Sequence, residues 1–234
     1  MPSWIKSKQD TFLVALPRQN ISISTFSDMQ AHAYNIIRKH SKKAFPKDPL
    51  FLIVNGVAGT GKSYLINAIR NLLRTSCAVT ATIGKAAFYI NGCTIHSLLK
   101  LPVGTRGNKE LTAEALVRLQ NKLKGIAYII IDECSMLGQT MIGWIDRHCR
   151  QATGTSDELF GHLSIILFGD PAQLLPIADK PLYHSKPTMF TNVIKLLVNQ
   201  RVQSSNPEQS QFRELLMRLR TGDCTEQDWK LLLT

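Results

Sequence analysis

The segment Gly56-Val-Ala-Gly-Thr-Gly-Lys-Ser63 fits the pattern G-x-x-x-x-G-K-[ST] at every fixed position. The chemistry this spacing can do is to cradle the phosphates of a nucleoside triphosphate. Gly56, Gly59 and Gly61 let backbone N–H groups turn inward, and Thr60 lies among them. Lys62 reaches the β and γ phosphates as a point charge, and the Ser63 hydroxyl takes a place on Mg²⁺. The apolar run Leu50 to Val54 reads as a buried strand ending at Asn55. Tyr64 and the residues to Arg70 open a helix whose positive N-terminal end faces the phosphates.

A second reactive pair follows another apolar run, Ile129-Ile-Ile131, in the form of Asp132-Glu133. An aspartate at a strand end can hold Mg²⁺ directly or through water, and the adjacent glutamate can take a proton from attacking water. A third strand-like run leads to Gly169-Asp-Pro-Ala-Gln-Leu-Leu-Pro176. There the Gln173 amide can donate to a γ phosphate and accept from the lytic water.

These groups need a scaffold, and the pattern of elements supplies one. A helix is expected from Thr25 or Ser27, with Ser27 as N-cap, up to the basic stretch Arg38 to Lys43. Strands are expected at Cys77 to Ala81, Ile126 to Ile131 and Leu163 to Phe168. Helices are expected at Gly84 to Asn91, from Thr94 to Leu99 and from Leu111 to Leu123, with residues 100 to 110 as a loop. Continuous apolar strands alternating with helices imply an α/β fold, a parallel sheet covered on both faces. Gly56, Asp132 and Asp170 then fall just past strand C-termini, where such folds collect their chemistry. Residues 1 to 24 show no sustained period and read as an N-terminal arm or connector.

Composition narrows the partners. The 234 residues carry a net charge of +11, all of it in the first part: residues 1 to 131 hold 18 Lys or Arg against 5 Asp or Glu. A basic half carrying a phosphate loop points to a polyanion, nucleic acid above all. No apolar run is long enough for a membrane span, and the start has no secretory pattern. The five cysteines form no C-x-x-C pair, which suits buried thiols in a reducing compartment rather than a zinc site.

Read together, these motifs resemble the Pif family of ATP-dependent DNA helicases, with a likeness to the helicase segments of Helitron-type transposons. Beyond the two nucleotide motifs, the resemblance rests on Phe26-Ser-Asp-Met-Gln30 and on Gly84-Lys-Ala-Ala-Phe-Tyr-Ile-Asn-Gly-Cys-Thr-Ile-His-Ser-Leu-Leu99. It continues through Gly169 to Pro176, Asn199-Gln-Arg-Val202 and Phe212 to Gly222. It implies a P-loop NTPase with a RecA-like sheet, residues 25 to 234 forming a first motor domain. It also implies that Gln30 reads the adenine edge, that Gln173 and Arg201 contact the γ phosphate, and that Lys62 and Glu133 serve hydrolysis. Gly84, Lys85, Thr94 and His96 would line a track for single-stranded DNA. The implied activity is 5′-to-3′ translocation and unwinding of single strands or DNA junctions, in repair, recombination, telomere maintenance or transposition. The implied location is the nucleus, or else the mitochondrion.

Three departures qualify that expectation. Where the family has Ala-Pro-Thr-Gly, this chain has Ala81-Thr-Ile-Gly84, which removes a hydroxyl contact to DNA. The aromatic of the family's Gly-Asp-Phe is replaced by Pro171. The family's second motor domain does not follow within these residues, so a partner or a further segment would have to supply it. The chain alone is therefore expected to bind Mg-ATP and single-stranded DNA without unwinding. The other reading is a nucleotide-dependent nucleic-acid-binding module.

Overall fold

The structure, a computed structural model, describes residues 21–44, 46–102, 111–184, 190, 192–200 and 207–233. Its centre is a six-stranded sheet in which every paired strand is parallel. In chain order the strands are β1 (Phe51–Gly56), β2 (Cys77–Ala81), β3 (Cys93–Thr94), β4 (Tyr128–Asp132), β5 (Ser164–Gly169) and β6 (Asn192–Leu196). Their order across the sheet is β3-β2-β4-β5-β1-β6.

Period-two alternation divides the core into two layers. In β4, Tyr128 and Ile130 pack on one face, while Ile129 and Ile131 pack on the other. The first face is covered by α1 (Asp28–Ser41), α2 (Lys62–Leu73) and α3 (Gly84–Tyr89). The second is covered by α4 (Ile95–Leu99), α5 (Ala113–Leu123) and α6 (Gln139–Thr153). Burial on both faces explains why the interiors of β4 and β5, Ile129 to Ile131 and Ile165 to Phe168, are continuously apolar rather than alternating. Two further helices, α7 (Pro207–Thr221) and α8 (Glu226–Leu232), close the described chain.

The local signals act as their chemistry requires. Ser27 is the N-cap of α1, and Gln30 accepts from its backbone N–H at 3.0 Å. The hydroxyls of Thr94 and Thr112 accept from Ser97 and Ala115 N–H and start α4 and α5. Residues 21 to 24, read as part of an N-terminal arm or connector, lie against the body. Ile21 packs against the core, and Ser22 N–H donates to the Tyr64 hydroxyl at 3.1 Å. Residues 1 to 20 lie outside the described part. Elements not expected from the sequence are the two-residue strand β3, the helices α6, α7 and α8, and the edge strand β6. No described helix is long and apolar enough to cross a membrane.

Candidate nucleotide site and its family

The C-terminal ends of β1, β4 and β5 point to the same side of the sheet, and a cavity of about 570 Å³ opens there. Its walls include Gly59, Gly61, Lys62, Ser63 and Tyr64 from the phosphate loop and the start of α2. Asp132 and Glu133 come from the end of β4, and Gln173 from the loop after β5. Eight of the expected residues therefore share one space, although they lie in three separate stretches of sequence.

The loop itself is held by close approach. Gly59 and Gly61 have φ of 85° and 78°, a region that L side chains adopt only at a cost. At Gly56 and Gly61 a Cβ would collide with the Thr60 hydroxyl and the Gln30 amide respectively. Thr60 is buried and donates to Val57 O at 2.9 Å, which braces the loop from within. Lys62 Nζ donates to Gly56 O at 2.7 Å and to Val57 O at 3.3 Å, so its charge lies over the loop's hollow.

Gln30, expected at the adenine edge, is differently employed. It is 1% exposed, its oxygen accepts from Ser27 N–H, and its Nε2 donates to Thr60 O at 3.0 Å. Both ends of the amide are engaged inside the chain, and Gln30 does not line the cavity. In this structure it ties the start of α1 to the phosphate loop. Gly56 and Thr60 likewise shape the loop from behind.

Asp132 has the signature of an unfinished site. It is buried, and among the described residues its Oδ1 has no hydrogen-bond partner. Burial pushes its carboxyl up to about 6; the Glu133 backbone N–H opposes the rise, the Glu133 charge adds to it and Lys62 opposes it. A buried carboxylate oxygen without a partner costs about 1–3 kcal/mol or more, which a bound cation would offset. Glu133 stands in the left-handed region at φ 55°, ψ 46°. Such a conformation costs of order 1–3 kcal/mol for a residue with a side chain and is typical of functional turns. The turn is pressed against the end of β5, since a Cβ on Gly169 would lie 2.9 Å from Cys134 N.

Asp170, just past β5, is also buried, and Arg220 of α7 donates to it. That ion pair joins the C-terminal helices to the loop bearing Gln173. Two residues that sequence reasoning did not single out hold the other side. Gln200 N–H donates to Gly59 O at 2.8 Å and Asn199 Nδ2 to Ala58 O at 3.3 Å. Their signal was adjacency to Arg201 within Asn199-Gln-Arg-Val202. Arg201 itself lies outside the described residues.

The four residues expected along a DNA track gather at the β2–β3 edge, where Ala81 pairs with Thr94. Gly84 and Lys85 are exposed at the start of α3, and a Cβ on Gly84 would meet nothing within 4 Å. Thr94 spends its hydroxyl on capping α4. His96 is half-buried, and that burial lowers its pKa.

A phosphate loop, a strand-end Asp-Glu pair and this parallel sheet define a P-loop NTPase of the RecA-like helicase type. The chain belongs to the PIF1-like helicase family, whose model matches residues 25–230. It is 34% identical over 174 residues to ATP-dependent DNA helicase PIF1 of Trypanosoma brucei brucei, covering 73% of this chain and 17% of that protein. Against ATP-dependent DNA helicase PIF1 of Saccharomyces cerevisiae it is 29% identical over 199 residues, covering 77% of this chain and 23% of that one. A Bacteroides Pif1 helicase solved with ADP-AlF3 and single-stranded DNA superposes with a TM-score of 0.67 at 25% identity, covering 88% of this chain and 49% of that one. The chain thus spans under a quarter of these curated relatives and about half of the solved one.

Proposed function

We propose that this chain is the first motor domain of a Pif1-like DNA helicase, in which Mg-ATP hydrolysis drives 5′-to-3′ movement along single-stranded DNA. The observation that carries the reading is the convergence of Lys62, Asp132, Glu133 and Gln173 on one cavity, with a buried Asp132 oxygen that has no partner among the described residues. The names of the relatives and the single strand in the Bacteroides complex support it.

Ser63 and Asp132 are the residues that would hold Mg²⁺. A hydroxyl and one carboxylate suit an ion that keeps several waters and takes phosphate oxygens as ligands. Bound there, the ion would neutralise charge on the β and γ phosphates. Lys62 adds a second positive charge once it exchanges the loop carbonyls for phosphate oxygens. Glu133 accepts the proton of the attacking water, and Gln173, which lines the same cavity, orients that water. Gly84 and Lys85 contribute backbone and cation contacts to DNA phosphates. A second motor domain, from a further segment or a partner, would close over the nucleotide and make unwinding possible in repair, recombination or transposition.

The test is ATP turnover with Mg²⁺, with and without oligothymidine, beside Lys62→Ala and Glu133→Gln. Turnover that both substitutions abolish supports the motor reading. Tight nucleotide and DNA binding with turnover unchanged by either variant would overturn the assignment of these residues.

A further inference from the structure

The end of β2 and the end of β4 are joined by more than the sheet ladder. Ala81 pairs with Asp132 as the last rung, and beyond it Thr82 N–H donates to Asp132 O at 3.2 Å. The Thr82 hydroxyl then donates to Glu133 O at 3.0 Å. That same carbonyl accepts from Met136 N–H at 3.3 Å, which closes the short turn Cys134–Met136. The half-buried Thr82 hydroxyl thus grips the carbonyl of the residue whose backbone is left-handed. Two residues further on, Gly84 begins α3, the exposed edge assigned above to DNA.

We propose that Thr82 is a positioning residue that holds Glu133 in its left-handed turn and links the start of α3 to it. This rests on the functional reading of Glu133 and α3 given above. The proline of the resembled pattern has neither an N–H nor a hydroxyl, so it could make neither bond. In this chain the hydroxyl stands at 82, facing the Glu133 turn, while position 83 carries the exposed Ile83. Thr82 is tied to the turn by two hydrogen bonds, one from its backbone N–H to Asp132 O and one from its hydroxyl to Glu133 O. A shift of Thr82 when a phosphate settles at Gly84 and Lys85 would therefore move the Glu133 carbonyl directly.

The experiment is hydrogen exchange on the whole chain, followed at residues 84–89 and 133–137, with and without oligothymidine. Thr82→Val and the smaller Thr82→Ala remove the hydroxyl, Thr82→Ser keeps it, and thermal unfolding confirms that each folds. Without DNA, Val and Ala variants should exchange about five-fold faster at 133–137, as expected for one lost hydrogen bond, while Ser behaves as wild type. With DNA, wild type and Ser should gain protection in both segments, and Val and Ala only at 84–89. Val and Ala variants that exchange and respond like wild type at 133–137 overturn the proposal. Absence of protection at 84–89 in wild type would instead overturn the DNA reading, since the exchange rates without DNA still report on Thr82.

Discussion

The two ends of β4, Tyr128 and Asp132, are four residues apart and could hardly differ more. At its start, the buried Tyr128 hydroxyl meets His40 Nδ1 at 2.7 Å and accepts from Lys47 Nζ at 3.2 Å. His40 Nε2 meets Asp48 O at 2.8 Å, so a neutral imidazole accepting from Tyr128 and donating to Asp48 satisfies the whole chain of groups. Beside it, Ser164 at the start of β5 accepts from Leu50 N–H at 3.0 Å. At the other end Asp132 has an oxygen without a partner among the described residues, Glu133 is in the left-handed region, and loop glycines sit at positive φ. One end of the strand has its polar groups matched for stability. The other end leaves groups unmatched, as suits the nucleotide and ion proposed to bind there.

That contrast can be broken experimentally. The largest effect is expected from Glu133→Gln, which should lower DNA-stimulated ATP turnover by about 10²–10⁴-fold while nucleotide affinity is kept. Equal loss of affinity would mean that Glu133 holds the site together rather than serving the reaction. At the opposite end Tyr128→Phe leaves His40 Nδ1 buried without a donor. It should cost about 1–3 kcal/mol in urea unfolding, with the ATP site intact.

Asp132→Asn should act with the reverse sign. Without nucleotide and Mg²⁺ at pH 7.5, it should stabilise the protein by about 1–2 kcal/mol, because the wild-type carboxylate is ionised against its burial. A destabilised Asn variant would show that the carboxylate has a structural partner after all.

The smallest effect is on pH. Burial lowers the pKa of His40, so the unfolded chain binds that proton first. The contribution is complete above the unfolded value near 6.5 and declines as pH falls through the lowered folded value. Unfolding midpoints at pH 7.5 and 5.5 should differ, and His40→Gln should flatten the difference.

Elements with strong periodicity were legible to within a residue or two. Cys77 to Ala81 is the strand expected, and Thr94 and Thr112 cap the helices foreseen from Thr94 and Leu111. The edge strand β6, Asn-Val-Ile-Lys-Leu, was not foreseen, since short alternation at an edge resembles a polar loop. The phosphate loop and the Asp-Glu pair were readable because their spacing is local. The engagement of Gln30 was not, because it depends on Thr60, thirty residues away, and on the close packing of Gly61 against its amide.

The sequence by itself determined the phosphate loop, the strand-end acids, the α/β alternation and the family, since each is written in neighbouring residues. Only the tertiary structure decided that Asp132 would be buried with an oxygen unpaired, that Gln30 would brace the loop, and that Thr82 would grip Glu133. Those outcomes depend on packing that brings residues thirty or more positions apart into hydrogen-bonding distance, and no local pattern encodes that distance.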